Sequence, residues 1–238
     1  MGFKNWVRKK VADKILKQVS TYFANGAELK VLVDSKIAED YSQQINEALG
    51  AFAGIASVKV ERADVSGCWN GARGQYNLES LIRTPRTAWT LYILKEDIYV
   101  KPLNWAYGIT APLAGFSSVS MARFSNSETA KKLGLIFTEQ ETKAQLVVEI
   151  RHEVGHLLGL KDHPEGKHVG NCAMNQTMHM KPPGNTENDA NVPENAENAA
   201  NDVFCAGCHA QIVKFNEDVQ KKDLTAYAEA LTDLVFGM

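Results

Sequence analysis

Two histidines four residues apart on a helix that ends in glycine constrain this chain more than any other feature. The segment reads His152-Glu153-Val154-Gly155-His156-Leu157-Leu158-Gly159. Residues i and i+4 of an α-helix project from one face, so His152 and His156 can chelate a single metal ion. Glu153 follows the first histidine and lies beside the position that a catalytic metal leaves open, where a general base is needed. Val147, Ile150, Val154, Leu157 and Leu158 make the apolar face of the same helix, with the histidines on the neighbouring face. The metal therefore belongs at the edge of the core. Gly159 is the residue type that commonly ends a helix in the left-handed conformation, and the periodicity predicts a helix over 142–159. A zinc hydrolase needs three protein ligands and an open position. The third ligand must come from the segment after the bend, which offers two neighbours, Asp162 and His163.

The remainder predicts an α/β pattern. Strands are expected at 29–33, 58–60 and 89–94, the last of them central, with a helix over 37–52. Residues 66–74 read as a Gly-rich loop and 76–82 as the start of a helix. The stretch Ser118 to Phe124 alternates like a half-buried strand, and a last helix is expected over 223–236. Residues 182–202 consist mostly of Asn, Ala and acids without apolar periodicity, which predicts a solvated acidic loop. Residues 1–23 form an amphipathic helical pattern. Phe3, Val7, Val11, Ile15, Val19 and Phe23 recur at spacings of four beside a basic set of Lys4, Arg8, Lys9, Lys10, Lys14 and Lys17. That basic face reads either as a solvated surface or as a peripheral contact with anionic membrane.

Of the 238 residues 45% are hydrophobic, enough for one real core. A net charge of -2 supplies no basic field for nucleic acid. No apolar run reaches the roughly 18–20 residues of a membrane span. The N-terminus lacks the apolar region and cleavage site of a secretory signal, so a cytoplasmic location is expected. In a reducing compartment Cys68, Cys172, Cys205 and Cys208 are thiols or metal ligands rather than disulfides. Cys68 stands apart and reads as an idle thiol. Cys205 and Cys208 form C-x-x-C, but the strand-then-helix pattern of a thioredoxin-like redox motif is missing around them. Their acidic surroundings also disfavour a nucleic-acid zinc finger.

At this point His152-Glu153-x-x-His156-x-x-Gly159 resembles the metzincin zinc-peptidase signature. Its flanks are similar to one branch, the archaemetzincins: Cys172-Ala173-Met174-Asn175, Cys205-Ala206-Gly207-Cys208, and upstream Glu96 to Val100, Leu103 to Gly108 and Ser118 to Phe124. The resemblance covers roughly residues 29–215. It implies a metzincin-like α/β (α+β) fold: a twisted mixed sheet, an active-site helix and a smaller irregular C-terminal subdomain holding a second zinc. Residues 1–23, 24–159 and 160–238 would be the N-terminal helix and the two subdomains. It implies a third catalytic-zinc ligand six residues after the second histidine, which here is Asp162 where the family usually has His. It also implies a structural zinc, whose first cysteine is replaced here by His163, leaving His163, Cys172, Cys205 and Cys208 as its ligands. A register slip of one residue would instead make His163 the third catalytic ligand and leave three cysteines for the second site. Met174 would be the Met-turn methionine beneath the catalytic metal. His168 and His179 read as loop residues.

The function so implied is that of a zinc-dependent peptidase with two zinc ions and Glu153 as general base. It would act on peptide or protein substrates, with no nucleic-acid partner. The strand from Ser118 to Phe124 would be the edge strand that holds a substrate in extended pairing. The alternative is a non-catalytic zinc-binding scaffold on the same fold.

Overall fold

A computed structural model describes residues 3–23, 27–164, 172–175 and 204–236, with the side chains of 3–7 and 234–236 excepted. The acidic stretch 182–202, His168 and His179 lie outside the described residues.

The fold is mixed α/β. Helix α1 (Phe3–Tyr22) precedes strand β1 (Glu28–Asp34), helix α2 (Ser42–Gly50) and strand β2 (Ser57–Ala63). Two short strands follow, β3 (Trp69–Asn70) and β4 (Gln75–Asn77), then helix α3 (Glu79–Arg83) and strand β5 (Trp89–Leu94). Next come β6 (Ile98–Val100), β7 (Leu103–Ala106), β8 (Gly108–Ala111) and β9 (Phe116–Ser120). Among the described residues four helices follow: α4 (Glu128–Lys132), α5 (Glu139–Leu157), α6 (Ala206–Gln220) and α7 (Thr225–Phe236).

The main sheet has the order β2-β1-β5-β9-β8. Its first four strands run parallel, and β8 closes the edge antiparallel to β9. β5 lies at the centre, and every one of its residues is buried, as a run of Trp, Leu, Tyr and Ile covered on both faces requires. A second sheet, β3-β4-β6-β7, packs beside it. Tyr76, Leu78, Ile98, Tyr92 and Phe116 fill the space between the sheets.

Three expectations are corrected. The strand expected over 118–124 ends at Ser120, is buried throughout and is not an edge. The edge is β8, which folds back on β9 through a 3-10 turn at Pro112–Ala114 and a left-handed Gly115. β8 reads Gly-Ile-Thr-Ala and carries no hydrophobic alternation, so its pairing with Phe116–Val119 is a tertiary outcome. The helix expected from Tyr76 is preceded by β4, because Tyr76 pairs with Ile98 and donates to the buried Asp34 carboxylate at 3.1 Å. Helix α6 was not expected at all.

The apolar faces of α1, α6 and α7 converge on Trp89 of β5. Phe215 stacks on its indole at 5.6 Å, and Phe23 meets it edge-on at 4.9 Å. Residues of α6 and α7 thus share the core that covers the main sheet. On α1, Ile15, Val19 and Tyr22 are buried, as is Phe23 just beyond its end, while Lys9, Lys10, Lys14 and Lys17 are exposed. Arg8 pairs with Asp233 of α7. Among the described residues no helix is long and apolar enough to cross a membrane.

Candidate metal centre

Helix α5 begins at a capping box in which Thr138 and Glu141 satisfy each other's orphan N–H groups. That Thr-x-x-Glu signal is present in the sequence and moves the start three residues upstream of the expected Thr142. The helix runs to Leu157, and Gly159 follows with φ +82°, as a left-handed cap requires. Tyr227 of α7 donates to the Leu157 carbonyl from a buried position and holds the helix end in place. The bend returns the chain so that Asp162 faces the histidines.

His152 Nε2 and His156 Nε2 lie 3.1 Å apart, and Asp162 Oδ1 is 3.4 Å from each. The other nitrogens are engaged: His152 Nδ1 lies 2.7 Å from the Ala173 carbonyl and His156 Nδ1 3.0 Å from the Leu160 carbonyl. A carbonyl oxygen only accepts, so each Nδ1 carries a hydrogen and, in the neutral imidazole that binds a metal, each Nε2 presents a lone pair inward. Two lone pairs and a carboxylate oxygen face each other, an arrangement that favours a cation between them. With Zn–N and Zn–O bonds of about 2.0–2.1 Å, tetrahedral geometry sets such atoms about 3.3–3.4 Å apart. The three side chains fit zinc. Burial alone would lower the pKa of His156, but Asp162, Glu153 and the Leu160 carbonyl outweigh it and raise it to about 9. Burial works against ionised Asp162, yet the two histidines hold its carboxyl below the ordinary value.

The second cluster is built from His163, Cys172, Cys205 and Cys208. His163 Nε2 lies 3.2, 3.5 and 3.6 Å from the sulfurs of Cys172, Cys205 and Cys208, and the Cys172 and Cys208 sulfurs are 3.8 Å apart. A tetrahedral zinc with Zn–S near 2.3 Å separates nitrogen from sulfur by about 3.5 Å and two sulfurs by about 3.8 Å. These four fit zinc as well. Cys205 caps helix α6, and Cys208 lies in its first turn. Burial disfavours the Cys205 thiolate, but hydrogen bonds from Cys208, Cys172 and the Gly207 backbone hold its thiol below the ordinary value. In this structure His163 lies with the thiols and Asp162 with the histidines. Cys68 is half-buried near Ser80, apart from both clusters.

Thr110, Ser117, Gly108 and Gly155, to which sequence reasoning gave no role, shape the surroundings. Glu153 is buried, and Thr110 of β8 donates to its Oε2 while Ser117 lies 2.8 Å from the Thr110 hydroxyl. Gly108 of β8 lies so close that a Cβ there would stand 2.2 Å from Glu153 Oε1. Burial raises the Glu153 carboxyl to about 7; His156 and the Thr110 hydrogen bond pull against that, and Asp162 adds to it. Met174 is fully buried beneath the helix, with its sulfur 2.5 Å from where a Cβ of Gly155 would lie. Gly155 thus leaves room for Met174, which its place inside the His152–His156 motif does not by itself reveal.

The profile of Peptidase family M54 matches residues 1–202. Archaemetzincin of Archaeoglobus fulgidus is 34% identical over 96 residues, covering 40% of this chain and 53% of the relative. Archaemetzincin of Haloarcula marismortui is 32% identical over 119 residues, covering 46% of this chain and 63% of the relative. The matched segments thus span between about half and two thirds of those relatives' lengths. The solved archaemetzincin structure from Methanopyrus kandleri superposes with a TM-score of 0.53 at 21% identity, covering 81% of this chain and 97% of that one. The structure from Archaeoglobus fulgidus, a complex with malonate, gives 0.52 at 23% identity, covering 77% and 99%. At these identities the likeness is one of fold.

Proposed function

The chain belongs to peptidase family M54, the archaemetzincin family, and from that premise we propose that it is a zinc-dependent peptidase in which Glu153 is the general base. The observation that carries this reading is the convergence of His152, His156 and Asp162 at tetrahedral spacing beside the buried Glu153 carboxylate. We assign one zinc to that triad and a second to His163, Cys172, Cys205 and Cys208. Zinc bound to the triad supplies a Lewis acid that acidifies water and polarises a peptide carbonyl. Glu153 accepts the proton of the attacking water and returns it to the leaving amine. Burial raises the proton affinity of this carboxyl, which suits a group that must both take up and return a proton. Thr110 holds the carboxylate in one orientation. An extended peptide or protein segment lies along the outer edge of β8 and pairs with the backbone groups that β9 does not use, at the side of the main sheet that α5 covers.

From Val11 onward the apolar stripe of α1 packs against the core, so the exposed lysines of that part offer an anionic membrane an electrostatic attraction.

Substitution Glu153→Gln tests the reading. The variant is expected to keep its fold and both zinc ions and to lose hydrolysis of a peptide mixture by about 10²–10⁴-fold. Zinc-loaded wild type that cleaves no more than Glu153→Gln would leave the scaffold alternative standing.

A further inference from the structure

We propose that the two metal clusters form one coupled unit: an ion on His163, Cys172, Cys205 and Cys208 sets how tightly His152, His156 and Asp162 hold the other, through the four residues 172–175. The inference rests on the two-zinc reading above.

Every residue of the 172–175 segment touches one cluster or the support of the other. Cys172 contributes its sulfur to the second cluster. The next carbonyl, that of Ala173, receives the Nδ1 hydrogen of His152 at 2.7 Å. The Met174 side chain fills the space under Gly155, between the two histidines, and its carbonyl receives the His163 N–H at 2.8 Å. Asn175 closes the turn by donating to the Cys172 carbonyl at 3.1 Å, and it bridges to His163. On the facing segment Asp162 and His163 are consecutive, one side chain entering each cluster. The second cluster thus fastens both strands of this bridge, 161–163 and 172–175, to the start of α6.

Among the described residues a backbone bond from the His163 N–H to the Met174 carbonyl joins the two strands, and ligands shared at the second cluster add a further tie between them. An ion at the second cluster restrains His163 and Cys172 together. It thereby holds the Ala173 carbonyl against His152 and the Asp162 carboxylate toward the triad. Loss of such an outer partner of a metal-bound histidine typically weakens metal affinity by about 10–100-fold. Binding linkage is reciprocal, so filling the triad strengthens the second cluster by the same factor.

The test uses the full chain, stripped of metal and reloaded, with zinc affinities read by competition against a chromophoric chelator. Wild type is expected to bind two equivalents. Cys208→Ala removes a thiolate on α6, outside the 172–175 bridge. The proposal expects the zinc that this variant retains to be held about 10–100-fold more weakly than the triad zinc of wild type. His163→Cys restores a fourth thiolate and is expected to keep the wild-type triad affinity within about threefold. Cys208→Ala with wild-type triad affinity overturns the coupling. Should Cys208→Ala not fold, the reciprocal arm decides. In Asp162→Ala, cobalt(II) is the probe, because thiolate charge-transfer absorption reports the cysteine cluster alone. Its affinity there must fall by a comparable factor, and an unchanged value overturns the coupling. One equivalent in wild type overturns the two-zinc reading and the proposal with it, whereas two equivalents with unlinked affinities overturn the coupling alone.

Discussion

Substituting Gly108 with alanine should disable Glu153 without touching it. A Cβ at position 108 would stand 2.2 Å from Glu153 Oε1, 2.4 Å from its Cδ and 2.5 Å from its Cγ. Comfortable separations are about 3.5–4.0 Å, so the shortfall is about 1 Å along most of the side chain. Strand β8 cannot easily retreat, because Gly108 pairs with Val119 and the neighbouring Tyr107 carbonyl receives the Ser120 N–H at 2.7 Å. Glu153 must therefore rotate, which breaks its charge-assisted hydrogen bond with Thr110. Overpacking of this kind costs about 1–3 kcal/mol. The carboxylate no longer stands where it can take a proton, so kcat should fall by about 10²–10⁴-fold, as for loss of a general base. Zinc content should persist, because neither the three ligand side chains nor the His152 and His156 bonds to the Ala173 and Leu160 carbonyls involve Gly108 or the Glu153 side chain. The assay is steady-state peptide hydrolysis with zinc per chain measured on the same preparation. Full zinc occupancy with kcat within about threefold of wild type would refute the reasoning, since the added methyl must then be accommodated without moving Glu153.

Gly155→Ala should cost about 1–3 kcal/mol in chemical denaturation, because its Cβ meets the Met174 sulfur at 2.5 Å; a second change, Met174→Ala, should recover part of that loss, and strictly additive losses would count against the contact. Asp162 carries a negative charge where an imidazole would be neutral, so the attacking water ionises at higher pH; Asp162→His should move the activity optimum downward, and an optimum that stays or rises would contradict this. Burial first, then the charge of Glu153, raises the carboxyl of Glu149 to about 7, against the pull of His152 and Gln145. A carboxyl raised on folding gives its full stability below about pH 4 and loses it as pH climbs through about 7. In the zinc-free protein Glu149→Gln should therefore raise the melting temperature at pH 8 and leave it little changed at pH 4; an equal gain at both would exclude titration as the cause.

Much of the site's wiring is local, and so readable. The Thr138-x-x-Glu141 cap, the apolar face from Val147 to Leu158 and the Gly159 bend each depend on residues within a few positions of one another. The same holds for β5, whose run Trp89 to Leu94 is apolar enough to be buried on both faces. What escaped was weakly patterned. β3, β4, β6, β7 and β8 are two to four residues long, too short for alternation to stand out, and they exist because partner strands complete their hydrogen bonds. Helix α6 hides its start in a C-x-x-C motif that draws attention to metal rather than to capping.

Helical geometry alone puts His152 and His156 on one face, because 3.6 residues per turn brings i and i+4 together whatever surrounds the helix. The presence of His163 and three cysteines in the chain likewise defines a donor set that suits zinc before any contact is known. The tertiary structure decided which strand is the edge, that Gly108 and Thr110 flank Glu153, and that Ala173 and Met174 lie under the histidines. Those relations join residues 20 to 45 or so positions apart through sheet pairing and packing, and no periodicity within either segment encodes its distant partner.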